Sequence, residues 1–230
     1  MRSLDLRQFR RLPADTFRKV PPSAGMTVYQ LKPRFQAALR PLVRRLPAVG
    51  ITANMVTIAA LAGSLVTGAV IASLSRQRSI FLLMPIWLLV RMALNAIDGM
   101  LARECNQESV LGAYLNELGD VVSDAALYAP FALVLPFDVA GVAALIVLST
   151  LTEFAGALGP AMGASRRYDG PLGKSDRAVL FGALGVWVAT AGSLPNWMWC
   201  AVPVVSILLL VTTINRIRAG IGDARRARLS

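Results

Sequence analysis

The sequence predicts an all-α integral membrane protein, with six transmembrane helices preceded by a juxtamembrane amphipathic helix. Three observations carry this. First, 55% of the 230 residues are hydrophobic and the mean hydropathy is +0.56, too apolar for an ordinary soluble domain. Second, apolar runs close to the ~20 residues that span a bilayer recur from residue 52 onward. Third, the formal net charge of +11 is concentrated at the two ends and in one loop. That placement orients membrane segments and meets lipid headgroups. Membrane lipids are therefore expected partners, and nucleic acid is not, since no aromatic platforms for bases accompany the charge.

Residues 1–26 are basic and punctuated by proline; Arg2, Arg7, Arg10, Arg11, Arg18 and Lys19 outnumber Asp5 and Asp15. They read as a cytoplasmic tail, and the long charged lead-in does not read as a signal peptide. Residues 27–46 read as an interfacial helix. Val28, Leu31, Phe35, Leu39, Leu42 and Leu46 recur at three- and four-residue steps between Lys32, Arg34, Arg40, Arg44 and Arg45. Pro33 suits a first helical turn, and Pro41 is expected to kink or split the helix. Packing of this apolar face on the protein itself is the alternative to lipid.

Six membrane segments follow, at about 52–74, 80–103, 109–137, 139–162, 178–193 and 197–214, within a domain spanning 47–218. A basic tail, 219–230, closes the chain. The charged regions are the N-terminal part, the loop at 166–177 and the C-terminal Arg216, Arg218, Arg225, Arg226 and Arg228, whereas the stretches near Asp138 and Pro195 lack Lys and Arg. The positive-inside rule then places both termini, and the join between the second and third segments, in the cytoplasm; a bacterial inner membrane is the expected location. Arg76 and Arg78 are a minor exception. The Met, Trp and Phe residues of these segments read as lipid-facing or core.

The chain has no histidine, which excludes His-based triads, zincin motifs and His general bases. Its two cysteines, Cys105 and Cys200, form neither a metal spacing nor a disulfide framework. The unusual stretch is residues 95–124, where Asp98, Arg103, Glu104, Glu108, Glu117, Asp120 and Asp124 lie between apolar runs. A carboxylate at a bilayer centre costs roughly 2.5–3.5 kcal/mol on insertion scales. So many acids imply a polar cavity, a cation or a reaction.

Helix geometry gathers them. Asn95 and Asp98 share one face with Ala102, and Gly112, Asn116, Asp120 and Asp124 repeat every fourth residue on the next helix. Two antiparallel helices can point Asn95, Asp98, Asn116 and Asp120 at one another, an oxygen-rich set suited to a hard cation. Gly99 and Gly112 let a ligand approach the backbone, and Arg103 can meet a phosphate.

The spacing N-x2-D-G-x2-A-R-x8-G-x3-N-x3-D over residues 95–120 resembles the CDP-alcohol phosphotransferase signature, D-x2-D-G-x2-A-R-x8-G-x3-D-x3-D. Asp98, Gly99, Ala102, Arg103, Gly112 and Asp120 match in identity and spacing, and Asn54 and Thr57 look like an N-x2-T found in many members. The resemblance implies an enzyme of phospholipid biosynthesis that transfers a substituted phosphate group, a phosphatidyl group from CDP-diacylglycerol to a small alcohol, with release of CMP. It implies Mg²⁺ or Mn²⁺, one or two ions, and a homodimer. Carried over by position, Asp98 is a metal ligand and Asp120 a metal ligand and the catalytic base. Gly99, Ala102, Arg103 and Gly112, with Asn54 and Thr57, line the CDP site.

The sequence departs from the signature at Asn95 and Asn116, where the family has aspartates. An Asn carbonyl ligates a hard cation without bringing charge, and Glu117 and Asp124 are the candidates to compensate. In the loop at 166–177, Arg166, Arg167, Lys174 and Arg177 form an anion site for the acceptor or a lipid phosphate, although positive-inside alone also accounts for them. Glu153, an intramembrane acid, is a functional candidate, with pairing to Arg91 as the alternative. Competing functions are CDP-choline or CDP-ethanolamine transfer to diacylglycerol, a catalytically weakened lipid- or nucleotide-binding relative, and an ion-coupled transporter. The acceptor stays open.

Overall fold

The structure, a computed structural model, describes residues 28–229; the expected basic tail over 1–26 lies outside them. The chain divides into two compact units, Met1–Ala38 and Leu39–Ser230. The described part of the first is the opening of helix α1 (Val28–Arg45), and Pro41 does not end that helix.

The second unit is helical throughout, with no strand among the described residues. It contains α2 (Ala53–Ser73), α3 (Leu83–Glu104), α4 (Val110–Tyr128), α5 (Val139–Ala157), α6 (Lys174–Ala191) and α7 (Ala201–Leu229). Side-chain caps start several of them. Thr52 Oγ1 accepts from the Met55 N–H at 3.3 Å, Ser109 Oγ from Gly112 at 2.9 Å and Asp138 Oδ1 from Gly141 at 2.6 Å. Asp176 reaches back to accept from the Gly173 N–H at 2.8 Å, which opens α6 at Lys174, a turn before the expected start. Gly192, at φ 72°, ends α6 in the left-handed conformation. Helix α7 runs well beyond the expected end at 214, because residues 215–229 lack proline and are rich in Arg and Ala, good helix formers.

Four stretches are long and apolar enough to cross a membrane: Ala53–Ser73, Arg78–Glu104, Val139–Ala157 and Asn196–Ala227. They coincide with the first, second, fourth and sixth expected segments. The other two, α4 and α6, each carry three charged side chains, Glu117, Asp120 and Asp124 in one and Lys174, Asp176 and Arg177 in the other. The helices least suited to lipid by composition are those that charge the site.

Helix α2 packs on α3 and α4, α3 also on α6, and α5 on α7 and α4. Gly68 brings α2 against the backbone of α4 at Ala126, a close approach that a larger side chain would block. The main core is aromatic and aliphatic. The Tyr128 and Phe181 rings stack at 3.7 Å, and Phe81 meets Phe131 edge-on at 5.5 Å. The Trp87 indole N–H donates to Ser64 Oγ at 2.9 Å, so its one polar atom is satisfied. Outward, α2 to α7 present Val66, Leu89, Leu118, Phe154, Val179 and Ile207. Apolar side chains on every outer face fit a surface solvated by lipid, not water.

A smaller apolar cluster of Val43, Ala53, Val56, Ile97, Met100 and Leu101 anchors the start of α2 to the end of α3. Above it, Arg40 makes a two-pronged contact with Glu104 at 3.0 and 3.1 Å. The Ala53 N–H, unpaired within its own helix, donates to Gln107 Oε1 at 2.7 Å. The apolar cluster and the Gln107 bond fix the tight α3–α4 turn and hence the register of the two helices that carry the acids.

Candidate active site

The α3–α4 hairpin places Arg91, Asn95 and Asp98 opposite Asp120 and Asp124. Arg91 and Asn95 are four residues apart on one helix and Asp124 and Asp120 four apart on the other, so the antiparallel register pairs them crosswise. Arg91 Nη1 donates to Asp124 Oδ1 at 2.6 Å, and its Nη2 reaches Asp120 Oδ1 at 3.2 Å. Asn95 Nδ2 donates to the same Asp120 oxygen at 3.2 Å. Lys174 Nζ, from the first turn of α6, lies 2.5 Å from it. Three donors thus converge on one carboxylate oxygen.

Asp98 is buried, and its Oδ2 accepts from Thr57 Oγ1 on α2 at 2.9 Å. Asp98 is near enough to Asp120 and Lys174 to feel both charges. Asn116 is half-buried on α4, and its side chain makes no hydrogen bond among the described residues.

Behind this group lies a second set of paired charges. Arg177, fully buried, uses one nitrogen to contact Asp124 Oδ2 at 3.0 Å and Glu153 Oε1 at 2.9 Å. Arg216 of α7 donates to the Thr152 carbonyl at 2.7 Å and lies 3.5 Å from Glu153 Oε2. Arg166 pairs with Glu117 and approaches Glu153 at 3.9 Å. Buried charges are tolerated when paired and hydrogen-bonded, and these pairs run from α3 through α4, α6 and α5 to α7.

Helices α3 and α4 also carry a shallow cradle. The Arg103 guanidinium lies over Gly99, where an added methyl would meet its nitrogens at 3.1 and 3.2 Å. The Asn54 amide lies over Gly112, where a methyl would meet Asn54 Oδ1 at 2.7 Å and Ser109 Oγ at 2.9 Å. Ala102, Arg103, Asn106 and Glu108 line a small surface hollow here. Two helix glycines therefore lie directly beneath an arginine and an amide.

The expected residues fall into groups. Asn95, Asp98 and Asp120 gather with Thr57, while Asn54, Gly99, Ala102, Arg103 and Gly112 form the cradle. Glu117 and Asp124, candidates to restore lost negative charge, are each neutralised by arginine. Glu153 pairs with Arg177, Arg216 and Arg166, not with Arg91, because Arg91 is held on α4 by Asp120 and Asp124. The basic loop does not act as one patch. Lys174 faces Asp120, Arg166 faces Glu117, and Arg167 is tied to Asp169 at 2.9 Å and Asp223 at 3.2 Å. Arg177 departs furthest from expectation: it is enclosed and spends its one hydrogen-bonded nitrogen, Nη2, on Asp124 and Glu153, so it braces the acids and does not face an acceptor. Sequence reasoning passed over two members. Arg91, weighed only as a partner for Glu153, sits one turn before Asn95 on the same stripe, and Arg216 reads from the sequence only as an orienting charge. The four-residue spacing of Arg91, Asn95, Asp120 and Asp124 was the available signal.

Helices fit for a bilayer, closing around paired acids and bases beside a glycine-floored cradle, define a membrane enzyme of phosphoryl-group chemistry. Residues 50–217 match the CDP-alcohol phosphatidyltransferase family, and the chain belongs to that family, transferases of substituted phosphate groups that act in phospholipid biosynthesis. It is 52% identical over 195 residues to inner membrane protein YnbA of Escherichia coli (strain K12), an alignment covering 84% of this chain and 96% of that one. With its apolar helices, this makes it a multi-pass inner-membrane protein.

Among solved structures, it resembles phosphatidylinositol phosphate synthase (PgsA1) of Mycobacterium tuberculosis. With CDP-DAG bound, that enzyme gives a TM-score of 0.64 at 20% identity, covering 78% of this chain and 92% of that one. Its complex with manganese and citrate gives 0.64 at 20% identity, covering 78% and 87%. At such identity the likeness establishes the shared fold.

Proposed function

We propose that this chain transfers a phosphatidyl group from CDP-diacylglycerol to a small alcohol and releases CMP. One observation carries the reading: the two helices of the family signature carry Asp98, held by Thr57, and Asp120, held by Lys174, together with Arg103 over Gly99 and Asn54 over Gly112. A site set among apolar helices suits a two-tailed donor, and the structurally similar PgsA1 was solved with CDP-DAG bound.

In this reading the pyrophosphate lies in the cradle, where Arg103 supplies charge-assisted hydrogen bonds. The acceptor hydroxyl oxygen attacks the phosphorus distal to the cytidine. Its bond to phosphorus forms as the bond to CMP breaks, and Asp120 takes the hydroxyl proton. Arg166 flanks the acceptor side, and Lys174 stands beside Asp120 where an anionic oxygen would enter.

The accompanying arrangement has α2 to α7 as six membrane helices. The segment 27–46 is interfacial, 47–218 is the catalytic domain, and the basic ends 1–26 and 219–230 lie with the site on the cytoplasmic side. A homodimer completes it.

A divalent cation, Mg²⁺ or Mn²⁺, is the cofactor the family brings to this chemistry, and PgsA1 was solved in complex with manganese. Here the residues at the corresponding positions are Asn95, Asp98, Asn116 and Asp120. They do not fit a two-ion site. Two carboxylates are replaced by amides, and no group of three acidic, histidine or cysteine side chains is placed to share an ion among the described residues. The steps above therefore rest on the protein's own groups.

The test is CMP release from radiolabelled CDP-diacylglycerol across a panel of alcohols, with the lipid product identified by mass spectrometry. Asp98→Ala and Asp120→Ala are expected to abolish release; unchanged release would place the site elsewhere. Turnover of CDP-choline with diacylglycerol would exchange donor and acceptor classes. CDP-lipid binding without turnover would make the chain a binding relative, and substrate flux across sealed vesicles without CMP would make it a carrier.

A further inference from the structure

The misfit at the metal positions has its own chemistry. Asp120 Oδ1 receives Lys174 Nζ at 2.5 Å, Arg91 Nη2 at 3.2 Å and Asn95 Nδ2 at 3.2 Å. A divalent ion brought to that oxygen meets two protein cations already in place, and like charges at contact distance repel. The nearest further acids offer no relief, since Asp124 is held by Arg91 and Arg177, and Glu117 by Arg166. The asparagines at 95 and 116 remove two negative charges, and the positive charge on Asp120 now comes from the protein.

The two cations differ in what they are free to do. Arg91 is enclosed, with a side chain 5% exposed, whereas Lys174 is 32% exposed at the mouth of the group. An ammonium is a compact, strongly hydrated charge with three rotatable donors, the side chain closest in character to a small hard cation. Its flexible stem lets it turn from Asp120 to an anionic oxygen entering beside it. Arg91 then stays on Asp120 and Asp124 and holds both acids in place.

We propose that Lys174, backed by Arg91, takes the place of a divalent cation at Asp120, so that the ligand-free site retains no tightly bound metal and the pyrophosphate of a CDP-lipid binds on protein-borne charge. The second half rests on the donor reading given above; the first does not.

Two measurements separate them. The first is Mn²⁺ titration of the purified, ligand-free full chain in detergent, read by electron paramagnetic resonance. Site affinity follows ligand charge, so the wild type is expected to hold Mn²⁺ no more tightly than about 1 mM. Combining Asn95→Asp, Asn116→Asp and Lys174→Gln is expected to tighten binding by about 100-fold or more. One or two tightly held Mn²⁺ per wild-type chain overturns the proposal, even if the triple variant fails to fold.

The second is binding of CDP-dioleoylglycerol in micelles with EDTA and with Mn²⁺. The two Kd values are expected to agree within about threefold, and Lys174→Gln to weaken the EDTA value by about tenfold or more, a loss typical of one charge-assisted contact. Binding that requires Mn²⁺ overturns the proposal and leaves the donor reading intact. Binding in neither buffer overturns the donor reading, and the Mn²⁺ titration still decides the role of Lys174.

Discussion

Lys174 Nζ lies 2.5 Å from Asp120 Oδ1 and so ties the first turn of α6 to the acid that ends the family signature on α4. Asp120 is therefore both a candidate base and the partner of an ion pair. It can take a proton only as its other donors loosen, which couples acceptor entry to the position of Lys174. Asp120→Asn keeps the shape of the side chain and removes its charge and basicity. CMP release from CDP-diacylglycerol is expected to fall by about 10²–10⁴-fold, the range for losing a general base. The elution profile in detergent should not change. Activity within a few-fold of wild type would remove Asp120 from the proton transfer.

Arg177 bears on stability, not turnover. It is fully buried and joins Asp124 to Glu153. Arg177→Met leaves two buried carboxylates with one cation fewer, which is expected to destabilise the fold by about 3–5 kcal/mol. The readout is a marked fall in the thermal midpoint measured by fluorescence-detected gel filtration. Arg177→Lys should recover only part of the loss, because an ammonium is more strongly hydrated than a guanidinium and costs more to bury. Arg40→Ala is the control: its pair with Glu104 is exposed, and the midpoint should stay at the wild-type value.

Thr57 positions Asp98. Its hydroxyl donates to Asp98 Oδ2 at 2.9 Å and is the one hydrogen bond from a side chain that holds that buried acid among the described residues. Thr57→Val keeps the volume and removes the donor. CMP release is expected to fall about tenfold, the factor for one hydrogen bond of ~1.4 kcal/mol, while Thr57→Ser restores it. Equal loss in both variants would point to packing of the γ-methyl and not to the hydroxyl.

The helices were legible in the sequence because apolar runs and caps are local signals. The expected starts at 52, 109 and 139 fall within a residue of those of α2, α4 and α5, which Thr52, Ser109 and Asp138 cap. The acid stripe was legible for the same reason, since four-residue spacing is a property of one helix. What the sequence hid was the choice of partner. Arg91, Lys174, Arg177 and Arg216 come from three helices distant along the chain, and charge patterning gives their sign but not their contacts. Arg177 looked like part of an anion site and Arg216 like an orienting charge, yet packing of α6 and α7 on the acids buried them. The end of α7 was missed because hydropathy marks where a helix leaves lipid, not where it stops being a helix.

Gly112 gives the sharpest test of the cradle. A methyl there would stand 2.7 Å from Asn54 Oδ1 and 2.9 Å from Ser109 Oγ. Ser109 caps α4 through the N–H of Gly112 itself, so a displaced hydroxyl costs about 1 kcal/mol. Asn54 has more freedom, but its amide covers the floor on which the pyrophosphate is expected to rest. Gly112→Ala should therefore lower the thermal midpoint slightly while weakening CDP-lipid binding about tenfold or more, the larger effect reflecting a contact closed to the ligand. Asn54→Ala in the same chain removes the group the methyl strikes. If crowding by Asn54 is the cause, the double variant binds better than additivity allows, with a coupling of about 0.5 kcal/mol or more between these touching positions. Wild-type binding in Gly112→Ala would show that the ligand does not approach this stretch of backbone, and the cradle would have to be sought on the Gly99 side alone.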